Sequence, residues 1–269
     1  TPYGYSVVGR VVSAGPSVKP GWEGKRVFAF RPHSSFFAAR PETLLEVPSG
    51  IAAEQAVFLP NAETAVNLIQ DATPMLGERA LVLGLGIVGL LSTALLTEFP
   101  LECVIAADRF ARRRAAADVL GATATLNPDD KDFRAKAEAF IGKSGDGFDV
   151  VLEATGNPSA LDDAVALTAY SGRVVIGSWY GEKKAAIDLG GKFHRSRLRL
   201  IASQVSTISP ELSGRWSKSR RFAVAWKAIE RIQPDKWITR RFSIEHAAEA
   251  YRLLDEAPDQ AIQTVITYD

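Results

Sequence analysis

The chain has 269 residues, 46% of them apolar, with 32 basic against 31 acidic side chains. A polypeptide of this length and composition buries an ample core and reads as roughly two domains, which excludes a disordered or disulfide-framed chain. A net charge of +1 argues against nucleic acid as the main partner, and one Cys with three His is too poor a supply for a Cys-rich structural zinc.

The chain opens on Thr1-Pro2-Tyr3-Gly4, a turn-like run without an initiator Met or a signal peptide, and this reads as a start inside a longer protein. The first sixty residues carry short β-like runs, Val7 to Val12 and Arg26 to Phe30, separated by turn residues such as Gly15-Pro16 and Pro20-Gly21. From about Ala56 the pattern changes. A helix is predicted through Glu63 to Asp71, then strands over Arg79–Leu83, Glu102–Ala107, Ala122–Leu126, Phe148–Glu153, Gly172–Ser178 and Leu198–Gln204. Between the first five strands, helices are expected to start near Ile87, Phe110, Asp129 and Pro158. Strands as continuously apolar as Ala80-Leu81-Val82-Leu83 belong to a parallel sheet covered on both faces. The longest apolar stretch, Ile87 to Leu96, is interrupted by Gly89, Ser92 and Thr93 and is about half a bilayer span.

After Gln204 a Ser/Pro/Gly-rich stretch leads to an amphipathic helix, with Phe222, Ala225, Trp226, Ile229 and Ile232 on its apolar face and Arg221, Lys227 and Arg231 on the other. A strand from Trp237, a helix around Ala247 to Leu254 and a last strand, Ala261 to Thr267, close the chain. The expected organisation is a β-rich module over residues 1–58, a parallel α/β block over 59–205, and a return to the first module over 206–269.

Gly84-Leu85-Gly86-Ile87-Val88-Gly89 lies between a predicted strand and a predicted helix. In such a Gly-x-Gly-x-x-Gly, the first Gly permits a tight turn, the second admits a pyrophosphate to the backbone, and the third lets helix pack on strand. Asp108 follows about 20 residues on, where a carboxylate accepts the hydroxyls of an adenosine ribose. This favours NAD over NADP, because a 2′-phosphate would face a carboxylate. Arg109, Arg112 and Arg113 form either a solvated helix face or a site for such a phosphate. A methyltransferase would need an acidic residue just ahead of the glycines, where Leu83 stands. The stretches Glu153-Ala154-Thr155-Gly156 and Gly177-Ser178-Trp179 end later strands, where an open α/β sheet binds its ligand, so Ala154, Gly156, Gly177 and Trp179 are further candidate cofactor contacts.

Taken in order, Gly4-Tyr5-Ser6-Val7-Val8-Gly9, the Gly84–Gly89 turn, Ile238-Thr239-Arg240-Arg241-Phe242 and Ala247-Ala248-Glu249-Ala250-Tyr251 resemble the medium-chain dehydrogenase/reductase superfamily, over nearly the whole chain. The resemblance implies a Rossmann doubly wound α/β parallel sheet inserted in a GroES-like β-rich catalytic domain, with the strands ahead of Gly4 forming one cleft wall. It also implies a cytoplasmic, homodimeric enzyme pairing through the last sheet strand. The departures are informative. Zinc members carry Gly-His-Glu-x-x-Gly where this chain has Tyr5 and Ser6. Their later Cys ligand falls at Pro60-Asn61, and the segment between Phe30 and Pro48 has no room and no Cys for a four-Cys lobe. Zinc needs three or four N, S or carboxylate ligands, so none is expected here.

Without a Lewis acid, a side chain must handle the proton as hydride moves. Three catalytic candidates stand out. They are Tyr5, in the place of the ligand His; His33, in a loop resembling a cleft wall; and Glu63, at a helix start, where a carboxylate equally serves the helix dipole. Thr64 beside it is an expected cofactor contact. Strand alternation places Arg195, Arg197 and Arg199 on one face, either as an anion dock or as a charge-protected edge. The Ser178-Trp179-Tyr180-Gly181 run is similar to a zinc-less branch of dehydrogenases in the superfamily, and Tyr5 in place of the ligand His is similar to the hydroxyethyl bacteriochlorophyllide dehydrogenases. The expected activity is zinc-independent NAD(P)-dependent hydride transfer with a small-molecule secondary alcohol or ketone. An NADPH-dependent quinone or enoyl reductase and an inactive nucleotide-binding scaffold stand as alternatives.

Overall fold

The computed structural model describes residues 3–142 and 145–268, so the turn expected at Thr1-Pro2 lies outside the described residues. Six parallel strands form the central sheet: β4 (Arg79–Leu83), β5 (Cys103–Ala107), β6 (Ala124–Leu126), β7 (Phe148–Glu153), β8 (Thr168–Ile176) and β9 (Arg199–Ala202), in the spatial order β6-β5-β4-β7-β8-β9. The order reverses between β4 and β7, so the crevice of a doubly wound Rossmann sheet opens at their carboxyl ends. Alternation along each strand splits the core in two. Ala80, Val82, Val104, Ala106, Val150, Leu152 and Val175 join one cluster, and Leu81, Leu83, Ile105, Ala107, Val151 and Val174 the other. Both faces are buried, which is why these strands read as unbroken apolar runs.

The first face carries α2 (Leu59–Ala72), α3 (Ile87–Leu96) and α7 (Lys218–Ile232), and the second carries α5 (Phe133–Glu138) and α6 (Ala160–Leu167). The short α1 (Ala53–Ala56) precedes α2, and α4 (Ala111–Val119) follows β5. Two small sheets flank this block. One is antiparallel, from β1 (Val7–Arg10), β2 (Arg26–Ala29) and β3 (Leu45–Glu46); the other pairs β10 (Ile238–Ser243) with β11 (Gln263–Thr267) in parallel, beside α8 (Ala247–Glu256). Among the described residues no helix is long and apolar enough to cross a membrane.

Three expectations change. Helix α2 opens at Leu59, four residues before Glu63, because Pro60 is pre-shaped for a first helical turn. Arg221 is not on a solvent face of α7; it is the largest fully buried side chain among the described residues. Arg195, Arg197 and Arg199 do not share a strand face. The Asp188 carboxylate accepts from Gly190 N and Gly191 N and starts a helical turn that runs through Arg195, and Arg197 sits in a turn at φ +54°, so strand alternation begins only at Arg199.

Candidate active site

The glycine turn performs three separate tasks. Gly84 has φ +90°, and a Cβ there would lie 2.7 Å from the backbone of Ala154 and Thr155. Gly89 brings α3 onto the turn so closely that a Cβ would sit 1.8 Å from the Gly84 carbonyl oxygen. At Gly86, by contrast, a Cβ would meet nothing within 4 Å. The open space lies where Gly86 caps α3, and no side chain caps the first-turn amides, Ile87 and Val88 among them. Bare backbone, a helix amino end and free space together form a cradle for an anion.

Asp108, 5% exposed, closes β5 beside this cradle. Its Oδ2 accepts from Leu85 N and its Oδ1 from Phe110 N, each at 2.8 Å, so the carboxylate latches the turn to the next strand while each oxygen keeps a second lone pair. Arg113, rather than Arg109, faces it. Its Nη1 lies 3.7 Å from Asp108 Oδ2, its guanidinium stacks on Phe110, and its buried Nε has no hydrogen-bond partner. Arg109 is exposed and turns to Asp129 at 3.6 Å.

At the ends of β7 and β8, Ala154 N donates to Leu83 O, and Gly156, at φ +70°, donates its N–H to Ser178 Oγ at 2.8 Å. Gly177 serves packing: a Cβ there would come within 2.8 Å of Leu68 on α2. Trp179 is 91% exposed, so its ring stands in solvent rather than in the crevice. The sequence reading passed over Glu153. Its carboxylate is fully buried and accepts from Thr155 N at 2.8 Å, from the Thr155 hydroxyl, and from Tyr180 Oη at 2.5 Å. Burial, and then this bond to Glu153, hold the Tyr180 phenol far above its ordinary range. Tyr180 thereby ties the loop after β8 to the end of β7. The signal was a carboxylate ending an otherwise apolar strand.

A cleft of about 380 Å³ runs between β1, β11 and α8 and reaches Asn61 on α2 and Ile87 at the start of α3. Tyr5 and His33 both line it, Tyr5 exposed and without a hydrogen bond to the described residues. The His33 ring lies against Gly4, where a Cβ would be 2.7 Å from Nε2, and its Nε2 is 3.2 Å from Tyr251 Oη. Burial lowers the His33 pKa and raises that of Tyr251, so at neutral pH both are uncharged. Ser6 donates to Val57 O at 2.6 Å and anchors this wall to the entry of α2. Tyr251 was not among the sequence candidates; helical spacing does not say what a side chain faces.

Glu63 is not a free base. It is buried on α2 and holds an ion pair with Lys218 and with Arg221, whose Nε is 3.1 Å away. Arg221 also donates to Asn67 Oδ1 and to the carbonyls of Val205 and Thr207, which fastens the segment after β9 over α2. Thr64, one residue on, returns its hydroxyl to Pro60 O at 2.8 Å within the helix.

Residues 88–223, half of the chain, match the family described as zinc-binding dehydrogenase. The chain belongs to the zinc-binding dehydrogenase family. It is accordingly an oxidoreductase of the medium-chain superfamily, with the Rossmann and GroES-like architecture of those enzymes. Over 98% of its length this dehydrogenase is 26% identical to D-guloside 3-dehydrogenase of Escherichia coli K12, of which it covers 77%. Many solved structures share its fold, two of which illustrate it. The zinc-dependent alcohol dehydrogenase 2 of Streptococcus pneumonia has TM-score 0.80 and 19% identity, over 99% of this chain and 82% of that one. E. coli RspB in complex with NADH has TM-score 0.76 and 19% identity, over 96% and 81%.

The family's metal does not fit the donor set that this dehydrogenase presents in the cleft. The side chains lining it include one imidazole, His33, and no thiol or carboxylate, and no group of three His, Cys, Asp or Glu able to hold a metal occurs among the described residues. Tyr5 and Ser6 stand where the sequence pattern of zinc members has His and Glu.

Proposed function

We propose that this dehydrogenase transfers hydride between a nicotinamide dinucleotide and a secondary alcohol or its ketone, without zinc. The observation that carries this reading is the continuity of the cleft from Tyr5 and His33 to Ile87, at the mouth of the glycine cradle. The backbone at Gly86 fits a pyrophosphate, because space stays open there while Gly84 and Gly89 are packed shut. When bound, the dinucleotide supplies the hydride acceptor or donor. Asp108 holds the adenosine ribose through its remaining lone pairs, which favours NAD; Ala154, Gly156 and Thr64 border the other half. Tyr5 hydrogen-bonds the substrate oxygen, and the neutral imidazole of His33 is the base on which the proton released in oxidation ends and from which reduction draws it. Similarity to an enzyme named for a guloside supports a bulky secondary alcohol as substrate.

One observation favours the reductase alternative. The Arg113 guanidinium beside Asp108 brings a positive charge to the end of β5 that suits a 2′-phosphate, and NADPH is the cofactor of a quinone or enoyl reductase. The test is a titration of the purified protein with NADH and NADPH, alongside metal analysis and turnover of cyclohexanol, methyl glycosides, quinones and enones. The proposal expects tighter NADH binding, alcohol turnover and no stoichiometric zinc. One equivalent of zinc would refute the metal-free mechanism. NADPH-dependent turnover of enones would establish the alternative, and NADH binding without any turnover would mark an inactive scaffold.

A further inference from the structure

We infer that Tyr251, on α8, is a catalytic residue: its hydroxyl is the group that exchanges a proton with the substrate oxygen, and His33 acts through it. This rests on the proposed hydride-transfer reading and adds the proton path. Two geometric facts carry it. The Nε2 edge of His33 is hemmed in by the backbone of Gly4, where not even a Cβ fits, and by Tyr251 Oη at 3.2 Å. Tyr251 itself lines the cleft, 43% exposed, and packs at 5.6 Å against Tyr3. A substrate in the cleft therefore meets the imidazole's partner before the imidazole.

In the oxidation direction the alcohol O–H proton passes to Tyr251 Oη as the Tyr251 proton passes to His33 Nε2. The imidazolium formed releases its Nδ1 proton to water and recovers the Nδ1–H tautomer by exchange of its Nε2 proton, while the dinucleotide, when bound, would accept the hydride. The products are ketone, reduced dinucleotide and one proton, and reduction reverses each transfer. The step requires Tyr251 to donate and Nε2 to accept, that is, a neutral His33 carrying its proton on Nδ1. The surroundings support this state. The neighbours are phenols: Tyr3 packs on Tyr251 from the entry segment, and Tyr5 and Tyr268 line the same cleft. Arg31, in the His33 loop, stacks on Phe37, and Arg252 and Asp255 on α8 are exposed; His33 forms no ion pair among the described residues.

The chain has only three histidines, so the His33 imidazole can be followed by ¹⁵N NMR of the full chain and assigned with His33→Gln. The expected result is an acceptor-type Nε2 signal that moves in Tyr251→Phe without any cofactor present. In turnover, Tyr251→Phe should lower kcat about 100-fold, the low end of general acid–base effects, with NADH affinity retained. His33→Gln should abolish the acidic limb of the kcat/KM profile. Unchanged kcat in Tyr251→Phe, or a protonated Nε2 in the wild type at neutral pH, overturns the assignment while leaving the dehydrogenase reading intact. A wild type that binds NADH but turns over none of the panel overturns both.

Discussion

The guanidinium of Arg221, with no solvent-exposed surface, lies 3.0 Å from the carboxylate of Glu63 and joins α7 to α2. Removing one partner of a buried pair leaves the other charge uncompensated, at a cost of about 3–5 kcal/mol. Glu63→Ala is expected to lose about that much unfolding free energy, read from urea denaturation. A loss below about 1 kcal/mol would mean that Arg221 is held by the Asn67, Val205 and Thr207 oxygens alone.

Gly86 and Gly89 should respond differently to a methyl group. Gly86→Ala adds a Cβ in open space at an ordinary φ of −62°, so the melting temperature should hold while NADH affinity falls about tenfold or more. Gly89→Ala puts a Cβ 1.8 Å from Gly84 O and should destabilise the fold itself. Calorimetry of the two variants with an NADH titration separates the phosphate cradle from the packing contact.

Arg113→Ala tests cofactor choice. The side chain spans Asp108 at 3.7 Å and Pro258 O at 3.4 Å. Its loss should weaken NADPH binding about tenfold more than NADH binding, one charge-assisted contact's worth. An equal effect on both would assign Arg113 to packing against Phe110 and the chain end.

The pH dependence of stability should fall off on both sides. Burial lowers the His33 pKa in the folded state, so the unfolded chain binds the extra proton and stability drops as pH falls below about 6.5. Tyr180 is raised by burial and by Glu153, so the unfolded phenol ionises first and stability drops as pH climbs past about 10. His33→Gln should flatten the acid side and Tyr180→Phe the alkaline side, measured by urea midpoints across pH.

Strand β9 ends the sheet and leaves one edge unpaired among the described residues. We propose that it pairs with a second copy. Light scattering should give a dimer mass, and Ala202→Pro, which removes an edge N–H, should shift it toward monomer. A monomeric wild type would refute this.

Periodicity and glycine spacing made the sheet legible because burying both faces of a parallel sheet leaves unbroken apolar strands, and because only bare backbone fits at Gly84 and Gly89. These are local requirements, written residue by residue. Helical spacing assigned Arg221 to solvent for the same reason. It reports the average polarity of a face, not the carboxylate and three acceptor oxygens that wait on α2 and the segment after β9.

The amino-acid sequence by itself determined the doubly wound sheet and the glycine turn with Asp108 behind it. Only the tertiary structure decided that Glu63 is an ion-pair partner, that Arg113 rather than Arg109 faces Asp108, that Trp179 stands in water, and that Tyr251 meets His33 across 218 positions. Backbone and burial preferences act within a few residues, whereas a side chain's charge or proton partner is set by whichever distant element folds against it.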